Sequence, residues 1–74
     1  MKITIKLFAT LRDGRFKEQK IVVQDTYRII DIIIQYAIPR EEVSICLVNG
    51  RNVQPEQTLK EGDTFSIFPP VGGG

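Results

Sequence analysis

Seventy-four residues, 42% of them apolar, suffice for one domain with a single modest core and leave little room for an enclosed substrate pocket. Ten Lys and Arg against nine Asp and Glu give a net charge of +1, basic-leaning in the first half and acidic-leaning in the second. That asymmetry is too mild for the clustered basic face of a nucleic-acid binder, and the small size places function on a surface or at a terminus.

The absence of histidine removes Ser–His–Asp and Cys–His catalysis, and the single cysteine, Cys46, removes an intramolecular disulfide. Together they leave no ligand set for zinc or a cysteine-held iron–sulfur cluster, so no metal and no bound cofactor are expected. No apolar run approaches the length of a membrane span. Met1-Lys2-Ile3-Thr4 alternates like a strand and lacks the apolar core of a signal peptide, which points to a cytoplasmic protein.

In chain order, residues 2–8 alternate strictly, with Ile3, Ile5 and Leu7 on one side and Lys2, Thr4, Lys6 and Phe8 on the other, the period of a half-buried strand. Residues 9–19 are polar around Gly14 and read as a loop. A second strand over 20–24 (Ile21, Val22, Val23) completes an antiparallel hairpin. Asp25 and Thr26 are candidate caps for a helix over 26–38. Its isoleucines favour strand, but Arg28, Asp31 and Gln35 recur at steps of three and four. On a helical wheel Ile29, Ile30, Ile33, Ile34 and Ala37 share one face, Ile32 and Tyr36 fall near its polar edge, and Pro39 ends the helix.

Residues 43–48 form the next strand, with Val43, Ile45 and Leu47 assigned inward and Cys46 and Val48 outward. Asn49-Gly50 is a turn pair, since both residues tolerate positive φ. The stretch 51–59 contains Pro55 and one brief strand, and residues 60–63 turn again. The last strand, 64–68, places Phe65 and Ile67 inward and Ser66 and Phe68 outward. The order β-β-α-β-(β)-β, with one helix across one face of a mixed four- to five-stranded sheet, is the β-grasp or ubiquitin-like α+β roll. Residues 1–69 make the domain and 70–74 a tail.

After the last strand the chain reads Pro69-Pro70-Val71-Gly72-Gly73-Gly74. Two prolines stiffen the exit and block further ladder pairing. Extended, Pro70 to Gly74 reaches roughly 16–18 Å, enough to enter a deep, narrow site on another protein. Glycines let that site approach the terminal carboxylate with no Cβ in the way.

Two segments resemble a known family. Phe8-Ala9-Thr10-Leu11-Arg12-Asp13 is similar to the Phe-Ala-x-Leu-Arg-acidic segment of the small subunit of molybdopterin synthase, the MoaD family. The run 61–71, Glu-Gly-Asp-Thr-Phe-Ser-Ile-Phe-Pro-Pro-Val, followed by Gly73-Gly74, is similar to that family's C-terminal signature. The short chain and the extra glycine, Gly72, resemble instead ThiS, the sulfur carrier of thiamine biosynthesis.

The resemblance implies a sulfur carrier. A ubiquitin-activating-type (E1-like) enzyme would adenylate the carboxylate of Gly74 with ATP, and a sulfur donor such as a cysteine desulfurase would convert it to a thiocarboxylate. Gly72 and Gly73 would thread the partner's site. The acceptor would be the large molybdopterin synthase subunit, or thiazole synthase on the ThiS reading, and the catalytic side chains would belong to these partners. Strand parity puts Phe8, Cys46, Val48 and Phe68 on the sheet face away from the helix. With Pro69, Pro70 and Val71, the residues Phe8, Val48 and Phe68 make the expected partner-binding surface. Two readings from other classes stay open: a ubiquitin-like modifier joined to lysines through Gly74, and a plain β-grasp binding module. A β-grasp ferredoxin needs four cysteines and is excluded.

Overall fold

A computed structural model describes residues 1–70. The strands are β1 (Lys2–Leu7), β2 (Glu18–Val22), β3 (Ile45–Val48), β4 (Arg51–Asn52) and β5 (Thr64–Phe68), and the helix is α1 (Ile29–Gln35). They form one five-stranded sheet in the order β2-β1-β5-β3-β4. β1 pairs antiparallel with β2 and parallel with β5, while β3 pairs antiparallel with both β5 and β4. This is the mixed, helix-on-sheet β-grasp plan expected from the alternation of β1 and β5. Ile3, Ile5, Leu7, Phe65 and Ile67 are buried, as their parity requires.

The turn chemistry follows the sequence. Asn49 (φ 52°) and Gly50 (φ 83°) close the two-residue hairpin between β3 and β4, where both central residues must adopt positive φ. The Asn49 side chain also bridges to β5, donating to Asp63 Oδ1 (2.9 Å) and accepting from the Thr64 N–H (2.9 Å).

The helix differs from expectation in length and in orientation. It spans seven residues rather than thirteen, because the N-cap is Arg28, whose N–H donates to Asp31 Oδ2 at 2.8 Å. Asp25 instead faces the N-terminal ammonium at 3.5 Å. At the other end Ile38 N–H donates to Ile33 O and Ala37 N–H to Ile34 O, with Ala37 at φ 52°, the double bond of a Schellman ending. The Arg15 guanidinium reinforces this end, donating to Tyr36 O, Ala37 O and Leu11 O, each at 3.2 Å. It thereby ties the β1–β2 connection to the helix.

The buried stripe of α1 is Ile29, Ile32 and Ile33, with Tyr36 packed against the core. Ile34 is 70% exposed, the reverse of its wheel assignment, and Ile30 is half-buried. The stripe keeps Ile29 and Ile33 but is rotated by roughly 80°, somewhat less than one residue's step, from the expected one. Isoleucine surrounds most of this short helix, so hydrophobicity alone could not choose the face. Ile32→Ala is therefore expected to cost about 2–5 kcal/mol, and Ile34→Ala less than about 0.5 kcal/mol. Urea unfolding of the two variants measures the difference, and equal midpoints would refute the observed orientation.

β3 also inverts its expected parity. Cys46 and Val48 are buried at 6% exposure each and belong to the core, whereas Ile45 is 45% exposed and Leu47 half-buried. The segment is apolar at alternate positions on both sides, so its period carries no directional information. Leu11 and Leu59, buried at 0% and 1%, complete the core from connections without regular alternation.

Candidate functional site

The face of the sheet away from α1 gathers an apolar patch where β5 ends. β5 is a central strand, so the chain leaves the sheet from its middle. Phe68, the last residue of β5, and Phe8, just after β1, lie on adjacent parallel strands on the outward side. Their rings stack with centroids 4.2 Å apart and planes 10° apart. A pair of this kind contributes about 0.5–1.5 kcal/mol beyond its buried area, which rigidifies the patch.

The backbone fixes this stack from several sides. Phe8 N–H donates to Ile67 O at 3.3 Å, and Ser44 N–H donates to Phe68 O at 2.9 Å, holding β5 to its last residue. Ala9, at φ 53°, turns the chain sharply after Phe8 into a single 3-10 turn, Ala9–Arg12. That turn buries Leu11 and returns Arg12 over the patch. Arg12 Nε donates to Leu7 O at 2.7 Å, and its guanidinium carbon lies 5.4 Å from the Phe8 ring centroid, a cation–π distance. Arg12 and Phe68 thus both pack against the Phe8 ring. Ile45, paired with Phe68, and Leu47, paired with Ser66, extend the patch across β3.

The structure therefore brings together Phe8 and Phe68 from the expected surface, with half-buried Pro69 and exposed Pro70 following directly. Val48 is not part of it: its side chain packs into the core, paired with Phe65 across β3 and β5. Ile45 and Leu47 take the places assigned to Val48 and Cys46, for the parity reason given above. Arg12 belongs to the sequence motif but not to the expected site; an arginine four residues after an aromatic, across a turn, is its only signal. Val71, Gly72, Gly73 and Gly74 lie outside the described residues.

Burial pushes the Cys46 thiol above its ordinary pKa, against a smaller downward pull from Arg40. A buried neutral thiol is a poor nucleophile, which removes Cys46 as a sulfur relay in the folded domain. Among the described residues no three His, Cys, Asp or Glu side chains group as metal ligands, and no helix is long and apolar enough to cross a membrane.

Phe68→Ala is expected to leave the fold intact, since its ring faces away from the core. It should weaken capture of the domain by a partner gripping this patch by about 1–2 kcal/mol, the cost of losing an aromatic anchor. Calorimetry alongside a melting curve reads both effects. Unchanged affinity would move the interface elsewhere, and loss of the fold would contradict the ring's outward placement.

The model of the ThiS family matches residues 5–74. No curated protein matches the chain in sequence. Among solved structures, the putative molybdopterin converting factor subunit 1 from Pyrococcus furiosus is 30% identical, covering 96% of this chain and 99% of that one, with a TM-score of 0.76. SAMP1 from Haloferax volcanii superposes over the whole of both chains with a TM-score of 0.77 at 22% identity. A chain in the complex of subunits 1 and 2 of the molybdopterin-converting factor from Helicobacter pylori does so with a TM-score of 0.68, also at 22% identity. The last two are likenesses of fold.

Proposed function

We propose, since this chain belongs to the ThiS family, that it is a sulfur carrier whose C-terminal glycine, Gly74, is activated and converted to a thiocarboxylate that supplies sulfur for molybdopterin. The observation that supports this most is the family match running through residue 74. It is joined to a central strand that delivers the chain end from a rigid aromatic patch. The pterin branch is favoured over the thiamine branch by the likeness to the Pyrococcus furiosus subunit along nearly the full length of both chains.

The chemistry needs only the terminal carboxylate from this chain. In the activating enzyme a carboxylate oxygen of Gly74 attacks the α-phosphorus of ATP and pyrophosphate leaves. The mixed anhydride so formed has AMP as a good leaving group. The terminal sulfur of a persulfide, supplied by a cysteine desulfurase, attacks the acyl carbon, and the acyl–oxygen bond to AMP breaks. A second thiol then takes the donor's inner sulfur as a disulfide, leaving the thiocarboxylate. Gly72 and Gly73 give the catalytic groups of the partners room to reach this carbon. The large synthase subunit would then receive the tail while holding the Arg12–Phe8–Phe68 patch.

Expressed with its activating enzyme and a sulfur donor, the protein should gain the mass of one oxygen-to-sulfur exchange, located by fragmentation at Gly74. Only the carboxylate form, with a competent activator present, would reject the carrier reading. Adducts on lysines of other proteins would show the modifier fate, which shares the adenylation step.

A further inference from the structure

The second candidate surface lies along the free edge of β2, beside the end of β1 remote from Phe8. Its backbone polarity follows from the ladder to β1. Val23 N–H donates to Met1 O at 2.8 Å, the N-terminal ammonium donates back to Val23 O at 2.7 Å, and Leu7 N–H donates to Lys17 O at 3.0 Å. Hydrogen-bonded pairs alternate in an antiparallel ladder, so residues 17, 19, 21 and 23 turn their backbone groups toward β1. Glu18, Lys20 and Val22 therefore turn their N–H and C=O groups outward. β2 is the last strand of the sheet on this side, so nothing within it pairs these three residues.

A groove of about 610 Å³ runs beside this edge between β2 and α1, lined by Ile21, Val22, Val23, Tyr27 and the neutral side chains of Gln24 and Gln35. Its surroundings carry the two most exposed large apolar side chains among the described residues, Val22 at 74% and Ile34 at 70%. Edges that sheets leave open are ordinarily blunted by charge or covered. Here charge and apolar surface occur together.

The charges discriminate between occupants. Three carboxylates near this edge already face a cation: Glu18 faces Lys6 at 3.9 Å, Asp25 the N-terminal ammonium at 3.5 Å, and Asp31 Arg28 at 3.8 Å. A fourth, Glu61, lies on the far side of β1 from β2 and accepts from the Lys2 N–H at 3.1 Å. Lys20 and Lys2, which share the outer face of the hairpin with Val22, have no ion-pair partner among the described residues. On β2 itself the one charge without a partner among the described residues, Lys20, is positive. A second copy paired so that all three outward residues meet would set Lys20 against Lys20, an unfavourable like-charge pair.

We propose that the β2 edge binds an extended acidic–aliphatic segment of another protein by strand addition. Alternate side chains of an added strand fall on opposite faces. Aliphatic residues would enter the groove beside Ile21, Val23 and Tyr27, and the intervening acidic residues would face Lys20 and Lys2. The backbone of Glu18, Lys20 and Val22 would supply the ladder bonds. This surface is separate from the Phe8–Phe68 patch and does not depend on chemistry at Gly74, so both partners could be held at once.

The test uses the full chain and a capped peptide of sequence Thr-Ile-Asp-Val-Glu-Ile-Thr, with a control in which lysine replaces both acidic residues. In amide-resolved NMR titrations the acidic peptide should shift Glu18, Lys20 and Val22 while leaving Phe8 and Phe68 unmoved. The control should bind at least about ten-fold more weakly, a difference of about 1.4 kcal/mol. Val22→Pro removes one outward N–H without touching the β1 ladder and should abolish the shifts while the protein stays folded. Lys20→Gln, which threatens the fold still less, should weaken binding and reduce its salt dependence. Any of three results overturns the proposal: no saturable shift along β2, shifts centred on the Phe8–Phe68 face, or a concentration-dependent dimer that occupies β2 without peptide.

Discussion

A chain lacking Gly73 and Gly74 is expected to melt with the intact protein and to transfer no sulfur at all. The buried side chains run from Ile3 to Ile67, so the described core closes upstream of the deletion. The shortened chain would still end in a glycine carboxylate, that of Gly72, so the chemical group survives while its reach shortens by roughly 7 Å. A loss of transfer then reports position rather than chemistry. Activation measured as ATP–pyrophosphate exchange, thiocarboxylate by mass, and melting by circular dichroism separate the steps. A fall in melting temperature would make these residues structural, and sustained sulfur transfer would remove Gly74 from the mechanism.

Phe65→Ala should have the opposite signature. Phe65 is fully buried in the central strand and is the largest such side chain in the core. It pairs with Ile5 on one side and Val48 on the other. Its truncation should cost about 3–5 kcal/mol, in a domain whose whole stability is of the order of 5–15 kcal/mol. At this size each kcal/mol moves the midpoint by about 4–8 °C, so the variant should be unfolded or close to it near 37 °C. Phe68→Ala, three residues along the same strand but facing outward, is the internal control. Similar melting curves for the two would mean that the parity of β5 is wrong.

How much of this was legible in the sequence depended on whether one side of an element was polar. β1 and β5 alternate cleanly, Lys-Ile-Thr-Ile-Lys-Leu and Thr-Phe-Ser-Ile-Phe, and their inward rows are buried as read. The adjacency of Phe8 and Phe68 followed from those parities and the topology. β3, Ile-Cys-Leu-Val, is apolar on both sides: Cys46 and Val48 face the core, and Ile45 and Leu47 extend the outward Phe8–Phe68 patch. An outward face as apolar as the inward one thereby erased the periodicity that would have oriented the strand. The helix failed for a related reason: Ile34, exposed beside the β2 groove, mimicked a core residue on the wheel. Leu11 and Leu59 had no period to betray them, since each enters the core from a connection between the regular elements.

The place of β5 in the sheet has a mechanical consequence. Tension applied through the C-terminal end acts along β5, which is bonded on one side to β1 in parallel and on the other to β3 antiparallel. A pull along that axis loads both ladders in shear, so their bonds must yield together; a strand peeled from an edge, such as two-residue β4, gives way one bond at a time. Resistance to such a pull is a question of unfolding rate, not of equilibrium stability. Handing the domain between partners by its C-terminal end, as the proposed carrier role requires, would load these two central ladders together rather than an edge strand.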